Sequence, residues 1–275
     1  MNTPGNKFRD AIADNKPLMV VGAINAYCAK MAENAGHKAL YLSGAGVANA
    51  SFGLPDLAIT TLNDVAEDSR RITQATNLPL LIDIDTGFGG AFSISRTIKE
   101  MIAADVAAVH IEDQVTQKRC GHRPNKSLVD KIEMTDRIKA AVDARTDDSF
   151  FIMARTDSYA SEGMQGAIDR CNEYISAGAD GLFLEAVSSL EDYKQLKDAL
   201  QVPLLANITE FGKTPLFSAQ ELASVGVDIM LFPLSAFRAM NKAAESVYID
   251  IAENGSQVNS VEKMQTRDEL YEYLN

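Results

Sequence analysis

Eight short apolar runs recur along the chain, and each is followed by a segment whose apolar residues repeat about every 3.6 positions. The runs are nearly continuous rather than alternating, which is typical of parallel strands covered on their outer face by helices. The pattern therefore predicts eight buried strands that alternate with helices. The predicted strands are Leu18–Val21, Ala39–Leu42, Leu80–Ile84, Ala107–Ile111, Phe150–Ala154, Gly181–Leu184, Pro203–Asn207 and Ile229–Phe232.

The segments between these runs have the period of amphipathic helices. Gly36 and Gly178 follow two of them, where the chain needs a residue that adopts left-handed backbone angles. Eight strand–helix units in 275 residues favour a closed (β/α)8 barrel over an open doubly wound sheet, with residues 1–275 in one domain. The clearest predicted helices are Asp64–Ala75, Thr135–Ala144, Ala167–Ala177 and Leu190–Leu200.

Two more helical stretches follow the eighth predicted strand, at Ser235–Glu253 and Ser260–Leu274. The barrel needs only one helix there, so the second stretch is surplus. Its apolar residues fall roughly on one face, which must be covered by the chain's own barrel or by a neighbouring subunit. These apolar residues are Val261, Met264, Leu270 and Tyr271.

The net charge of −12 and the sequence pI of about 4.7 bear on the partners of this protein. An acidic surface repels the phosphate backbone, so we expect no nucleic-acid partner. An anionic substrate would have to be captured by a local cluster of arginine and lysine.

The three cysteines, Cys28, Cys120 and Cys171, are far apart and odd in number, which does not indicate a disulfide framework. The N-terminal segment lacks the apolar stretch of a signal peptide. No apolar run approaches the roughly 20 residues needed to span a bilayer. We therefore expect a soluble protein of the reducing cytoplasm, without a membrane partner.

Acidic residues follow two neighbouring predicted strands, where barrel enzymes place their active sites. Asp83 and Asp85 are two apart at the end of the third strand, so we expect both on one face. Glu112 and Asp113 end the fourth strand. Oxygen ligands without histidine or cysteine suit Mg²⁺ or Mn²⁺ rather than zinc. A single acid of this kind is usually a solvated loop residue or a helix cap, but the two pairs together predict a metal site.

The segment Gln114–Lys126, QVTQKRCGHRPNK, is a long loop after the fourth strand and carries five basic residues around Cys120. Nearby cations lower the pKa of a cysteine and make it a competent acid or base. Gly121 gives the loop freedom to close over a ligand. We expect Cys28 and Cys171 to be small buried residues, and Cys120 to be functional.

Cationic and amide side chains end most of the remaining strands. Arg155 and Glu185 end the fifth and sixth strands, and Arg238 follows the eighth. A single buried arginine is usually a structural ion pair, but two facing one barrel mouth resemble a clamp for several carboxylates. The donors Asn207 and Thr209 end the seventh strand, and the turn Ser43-Gly44-Ala45 after the second strand offers backbone N–H groups to an oxyanion.

The motifs IDIDTGFG, HIEDQ, KRCGHRPNK, MARTD, NITEFG and PLSAFRAMN resemble the isocitrate lyase and phosphoenolpyruvate mutase superfamily. KRCGH is specific for its carbon–carbon lyases, and the resemblance extends from about Lys7 to Asn275. The resemblance implies a Mg²⁺-dependent retro-Claisen cleavage of 2-methylisocitrate, a tricarboxylate, to pyruvate and succinate. It also implies a homotetramer in which a C-terminal helix is exchanged between subunits.

The resemblance also implies roles for individual residues. Asp83 and Asp85 would hold the metal, with Glu112 near it and partly bound through water. Cys120 would donate the proton that completes succinate, and Tyr41 would be the base or its relay. The predicted catalytic set also contains Lys118, His122 and Arg155. The expected substrate contacts are Ser43, Gly44, Ala45, Cys120, Gly121, Arg155, Glu185, Asn207, Ile208, Thr209, Arg238 and Arg267. The family commonly has glycine where Ala45 stands, and this extra methyl would crowd the substrate slightly.

Several alternatives remain open at this point. Within the superfamily they are cleavage of isocitrate or dimethylmalate and decarboxylation of oxaloacetate. A Schiff-base aldolase needs a lysine at a strand end, and none of the eight predicted strands ends in one. A non-catalytic carboxylate-binding barrel would not need Cys120 beside a metal site.

Overall fold

A computed structural model of the chain describes residues 3–118, 121 and 126–274. Eight parallel strands close into a barrel in the order in which they occur along the chain. Each strand pairs with its sequence neighbours, and the first pairs with the last through Leu18↔Ile229. The strands are β1 (Leu18–Gly22), β2 (Ala39–Leu42), β3 (Leu80–Asp83), β4 (Ala108–Glu112), β5 (Phe151–Thr156), β6 (Gly181–Leu184), β7 (Leu204–Asn207) and β8 (Ile229–Phe232).

Helices precede the barrel and connect its strands. The helices are α1 (Pro4–Asp14), α2 (Ala26–Asn34), α3 (Gly44–Gly46), α4 (Leu62–Thr73), α5 (Ala91–Ala103), α6 (Lys131–Asp143), α7 (Tyr159–Ser176), α8 (Leu190–Ala199), α9 (Ala219–Ser224), α10 (Ser235–Asn254) and α11 (Arg267–Leu274). A π-helical turn, Val47–Ser51, follows α3, and a 3₁₀ segment, Val258–Lys263, precedes α11. Among the described residues, no helix combines the length and the apolar character needed to cross a membrane.

Two apolar layers stabilise the fold. The outer layer lies between the strands and the surrounding helices. The inner layer fills the barrel and includes Leu81, Met153 and Leu205. Phe8 of α1 is fully buried, packs edge-to-face on Phe151 and closes the barrel at the end opposite the mouth. Side chains alternate along each strand, so every second one faces the inside of the barrel. Beyond the inner layer, at the carboxyl ends of the strands, these inward side chains face the open end, or mouth, of the barrel.

The sequence prediction of a (β/α)8 barrel is confirmed, and the predicted strand limits agree to within one or two residues. Gly36 and Gly178 adopt the expected left-handed backbone, with φ of 91° and 105°. The stretch Ser260–Leu274 was wrongly predicted as one helix. A 3₁₀ segment ends at Lys263, and Met264 is extended before α11 begins. The helix α11 contacts α2 of the same chain through the rings of Tyr27 and Tyr273.

Candidate active site

The mouth of the barrel contains a cavity of about 370 Å³. It lies at the carboxyl ends of the strands, where most inward-facing side chains are polar. Apolar side chains from β6, β8 and the loop after β8 line one wall, namely Phe183, Leu231 and Leu234. The predicted site residues that line the cavity are Tyr41, Ser43, Ala45, Asp83, Lys118, Gly121, Arg155, Glu185, Asn207, Thr209 and Arg238.

Asp83 and Asp85 come together for a reason other than strand alternation. The strand β3 ends at Asp83, and Asp85 lies in the following turn with a positive φ of 49°. The N–H of Asp85 donates to Asp83 Oδ1 at 2.9 Å, and the N–H of Gly44 lies 3.3 Å from Asp83 Oδ2. A Cβ added to Gly44 would lie 3.1 Å from Asp83 Oδ2 and 3.3 Å from Asp85 Oδ1. Both carboxylates therefore reach toward the same turn after β2.

The two buried carboxylates have opposite electrostatic environments. Burial alone would raise the pKa of Asp83, but His110, Lys118, Arg155 and the Asp85 N–H lower it to about 2. Burial and the charge of Asp83 raise the pKa of Asp85 to about 6, although Lys118 opposes this shift. Two negative charges this close repel each other, and Lys118 offsets part of that repulsion.

Lys118 supplies part of the positive charge in the mouth. Its Nζ lies 2.6 Å from Asp85 Oδ1 and 2.7 Å from Asp56 Oδ1, and its side chain is 3% exposed. Burial would lower the pKa of Lys118, but the surrounding carboxylates, Asp85 first, raise it well above its usual value. A permanently charged lysine is a poor amine nucleophile, so its position in the mouth does not favour Schiff-base chemistry.

Arg155 lies among three carboxylates. Its Nε is 3.1 Å from Asp157 Oδ2 and 3.2 Å from Glu112 Oε2, and its Nη2 is 3.1 Å from Glu185 Oε2. The guanidinium also lies over the ring of Phe183, 4.9 Å from the centroid. Burial raises the pKa of Glu112 well above its usual value, while Arg155 and Lys118 oppose this shift.

Gly121 is a described residue of the loop after β4 and follows Cys120 in the sequence. Its backbone lies so close to the mouth that an added Cβ would be 2.3 Å from Arg155 Nη2 and 2.6 Å from Glu185 Cγ. Glycine is therefore required here for close approach of the backbone. Cys120 and His122 lie outside the described residues, and their predicted catalytic roles stay predictions.

Tyr41 and His110 form a buried pair beneath the cavity, with the Tyr41 hydroxyl 2.8 Å from His110 Nε2. Burial lowers the pKa of His110 to about 4, so the ring is neutral near pH 7. Burial and the nearby charge of Asp83 raise the pKa of Tyr41 well above its usual value. The Tyr41 hydroxyl is therefore protonated in the resting protein.

Three other predicted contacts lie outside the cavity lining or at its edge. Ile208 is buried in the outer apolar layer and does not line the described cavity. Arg267 is exposed at the start of α11 and is also absent from the described lining. Arg238 lies at the rim, with a half-exposed side chain 3.8 Å from Glu210.

Asp56, His110 and Asp157 are site residues that the strand-end search did not assign. Asp56 belongs to a connecting segment, lines the cavity and forms an ion pair with Lys118. Asp157 lies one residue past β5, where its carboxylate contacts Arg155. Alternation along β4 could have identified His110, because it lies two positions before Glu112 on the same face.

The chemistry of the mouth fits a hard divalent cation. Glu112 Oε1, Glu112 Oε2 and Asp85 Oδ1 are buried and accept no hydrogen bond of good geometry, although Arg155 and Lys118 form ion pairs nearby. Within the described ranges, no three His, Cys, Asp or Glu side chains are close enough to chelate a metal alone. Two carboxylates plus water are an ordinary ligand set for Mg²⁺.

Comparisons with known proteins agree with this geometry. A family model described as phosphoenolpyruvate phosphomutase matches residues 8–252. A protein of Vibrio cholerae serotype O1 named 2-methylisocitrate lyase is 61% identical over an alignment of 279 positions that covers 99% of this chain and 91% of that protein. The chain belongs to the phosphoenolpyruvate phosphomutase family.

Solved structures of this family share the barrel. A crystal structure of 2,3-dimethylmalate lyase, described as a PEP mutase/isocitrate lyase superfamily member, has a TM-score of 0.92 at 35% identity and covers 99% of this chain and 92% of its own. A phosphonopyruvate hydrolase in complex with oxalate and Mg²⁺ has a TM-score of 0.87 at 27% identity, with coverage of 99% and 95%. The superfamily resemblance predicted from the motifs is confirmed, and this phosphoenolpyruvate phosphomutase family member is an enzyme similar to the family's lyases.

Proposed function

We propose that this enzyme is a Mg²⁺-dependent carbon–carbon lyase that cleaves 2-methylisocitrate to pyruvate and succinate. The observation that carries the proposal is the mouth cavity, which Asp83 lines together with the cations Lys118 and Arg155, while Asp85 pairs with Lys118 at 2.6 Å. A hydroxylated tricarboxylate fits this site, because its hydroxyl can bind a metal held by the two aspartates. Its carboxylates can bind the lysine and the arginine. The name of the 61% identical Vibrio cholerae protein supports the same substrate.

The metal would be held by Asp83 and Asp85, with Glu112 bound through water. Mg²⁺ commonly uses one or two carboxylates and keeps several waters, and Mn²⁺ accepts the same oxygen ligands. When bound, the metal supplies positive charge that stabilises the alkoxide formed from the substrate hydroxyl. Burial and the charge of Asp83 raise the pKa of Asp85 to about 6, so a cation beside this carboxylate would favour its ionised form.

Other residues would orient the substrate. The turn Ser43–Ala45 would bind the pyruvate-forming end with its backbone N–H groups, and Arg155 and Arg238 would bind carboxylates. Ile208 and Arg267 remain in the proposed contact set through the family resemblance alone. The other proposed contacts are Cys120, Gly121, Glu185, Asn207 and Thr209.

Proton transfer would begin at Tyr41. Because its hydroxyl is protonated at rest and contacts His110 Nε2, Tyr41 is suited to relay the substrate's hydroxyl proton rather than to act as a free base. The bond between the carbinol carbon and its neighbour then breaks, and its electron pair passes to the succinate fragment as an enediolate. Arg155 stabilises that charge. Cys120 protonates the carbon, so one proton leaves and one is added, without oxidation or reduction.

The apolar wall of the cavity bears on the choice between substrates. Phe183, Leu231 and Leu234 offer an apolar surface to the substrate's methyl group. One such group is worth about 1–3 kcal/mol of discrimination, or roughly 10- to 200-fold. We therefore propose that 2-methylisocitrate is preferred to isocitrate, which lacks the methyl.

Steady-state rates on 2-methylisocitrate, isocitrate and 2,3-dimethylmalate, measured side by side, test the proposal. We expect kcat/KM to be at least about tenfold higher for 2-methylisocitrate. A higher value for either competitor would replace the proposed substrate within the same reaction class. Binding of all three acids without turnover would instead indicate a carboxylate-binding barrel.

We also propose that the enzyme is a cytoplasmic homotetramer. The helix α10 buries none of its residues within the chain, and Tyr248, Ile249 and Ile251 on it are exposed. Val261, Met264, Leu270 and Tyr271 are exposed as well. Apolar surface of this extent is typical of subunit contacts. The buried free thiols of Cys28 and Cys171 are compatible with a reducing compartment.

A further inference from the structure

Lys126 is a buried lysine that the reaction described above does not use. Its Nζ lies 2.6 Å from the carbonyl oxygen of Gly121 and 2.5 Å from Asp157 Oδ1. Its side chain is only 9% exposed. Lysine is rarely buried to this degree unless its ammonium is fully paired, so the two contacts account for its position.

Asp157 provides a fixed anchor for Lys126. Its carboxylate is 0% exposed and contacts Arg155 Nε at 3.1 Å through the other oxygen, Oδ2. Its own N–H donates to Asp113 Oδ1 at 3.0 Å, and Asp113 is also buried. A carboxylate held from both sides cannot follow a moving loop, so Lys126 connects the loop to a rigid part of the barrel.

The backbone on the C-terminal side of Lys126 is also fixed. Gln114 and Leu128 form an antiparallel bridge, and the N–H of Val115 donates to the Ser127 carbonyl at 2.9 Å. Arg137 donates to the carbonyl oxygen of Gln114 at 2.8 Å. Lys126 therefore directly precedes a backbone segment that this bridge and the Val115–Ser127 hydrogen bond hold in place.

Gly121 is the group that this arrangement holds in place. Its backbone packs against the Arg155–Glu185 ion pair, where not even a Cβ could be added. Lys126 binds its carbonyl from the other side. Gly121 directly follows in sequence the cysteine that is proposed to protonate the product.

We propose that Lys126 is a positioning residue, which holds the carbonyl of Gly121 while the Gly121 backbone packs against the Arg155–Glu185 pair. This inference rests on the proposed lyase function, since it assigns Lys126 a part in the same reaction. Catalysis depends on placement at this scale, because a displacement of about 1 Å can cost roughly 100-fold in rate.

Lys126→Met tests the inference because methionine keeps the apolar stem and removes the ammonium. We expect kcat on 2-methylisocitrate to fall by about 10- to 100-fold, with KM changed less than about threefold. Lys126→Arg, which keeps the charge and donors, should recover most of the lost kcat. Lys139→Met is the matched control because Lys139 is exposed on α6, and it should retain wild-type kinetics.

Hydrogen exchange in the peptide that contains Gly121 gives a readout independent of turnover. We expect faster exchange there in Lys126→Met than in the wild type, with no change in Lys139→Met. If kcat and exchange in Lys126→Met match the wild type, the inference is wrong while the lyase proposal stands. If the wild type does not cleave 2-methylisocitrate, the lyase proposal fails, and the exchange comparison still decides whether Lys126 holds Gly121.

Discussion

The Tyr41 hydroxyl lies 2.8 Å from Nε2 of His110, and both side chains are buried beneath the cavity. His110 Nδ1 is 3.8 Å from Asp83 Oδ1. The tautomer with its proton on Nδ1 faces that carboxylate favourably, which leaves Nε2 to accept the hydrogen bond from Tyr41. The hydroxyl thus has a fixed direction, as a proton relay requires.

Tyr41→Phe removes this hydroxyl and little else. We expect kcat to fall about 100-fold or more, because a positioned proton-transfer group typically contributes that much. Tyr193→Phe is the control, since Tyr193 is equally buried but packs against Phe217 in the helical layer. Steady-state kinetics of both variants check the prediction. Equal kcat values in the two would remove Tyr41 from the reaction.

Chelation should abolish turnover because Asp83 and Asp85 are the proposed ligands of a divalent cation. We expect activity to vanish after treatment with EDTA and to return on addition of Mg²⁺ or Mn²⁺. Asp85→Asn should weaken metal binding, so that a higher Mg²⁺ concentration is needed for the half-maximal rate. Full activity after exhaustive chelation would rule out the proposed metal site.

Cys120→Ser should retain substrate binding and lose most of kcat. Serine is nearly isosteric with cysteine but is a far weaker acid, so protonation of the succinate fragment slows while the arginine contacts remain. Single-turnover kinetics and substrate titration separate the two effects. A variant with near-normal kcat would assign Cys120 a structural role.

Truncation after Gly255 removes the 3₁₀ segment and α11. We expect a smaller oligomer in sedimentation, because the removed segment carries exposed apolar residues that a neighbour would cover. Arg267→Ala, in the full-length chain, separates assembly from substrate contact. A truncated chain that stays tetrameric contradicts the exchange of the tail. Normal kinetics in Arg267→Ala would remove Arg267 from the site.

Asp228 gives a pH dependence of stability that does not involve the mouth. Burial opposes ionisation, but Lys197 Nζ at 2.5 Å, the Leu204 N–H at 2.9 Å and Lys16 lower the pKa of Asp228 below its usual value of 3.8. A lowered folded-state pKa stabilises the protein above about pH 4, and that stabilisation is lost as the pH falls through the folded value.

Asp228→Asn should therefore reduce the free energy of unfolding by about 1–3 kcal/mol at pH 7, and by less at pH 3. Denaturant titrations at the two pH values measure the difference. Asp198→Asn, which breaks the exposed pair with Lys194, should change little. A loss in Asp228→Asn that stays the same at both pH values would show that its charge is not the source of stability.

The barrel was predictable because apolar runs and helical periods are local properties of the chain, and strand ends meet at one mouth in this fold. The same logic found Asp83, Glu112, Arg155 and Asn207, which lie on strands. It could not find Asp56, whose place depends on a connecting segment and on an ion pair with a residue 62 positions away.

Turn geometry explains the other differences. Strand alternation predicted that Asp83 and Asp85 lie on one face, but β3 ends at Asp83, and a left-handed turn places Asp85. The C-terminal stretch has a helical period throughout, yet Met264 is extended and divides it. Where a helix breaks depends on what the segment packs against, and α11 packs against α2. The periodicity of the sequence does not show such tertiary contacts.

Phe8 plugs the barrel opposite the mouth, and this has a kinetic consequence. Because Phe8 and the packed inner layer close the barrel at its other end, substrate and products enter and leave through the mouth, and the product that lies deeper leaves after the other. Release is then ordered, and the last product to leave competes directly with incoming substrate for the free enzyme. Accumulation of that product would therefore slow the enzyme far more than accumulation of the other product.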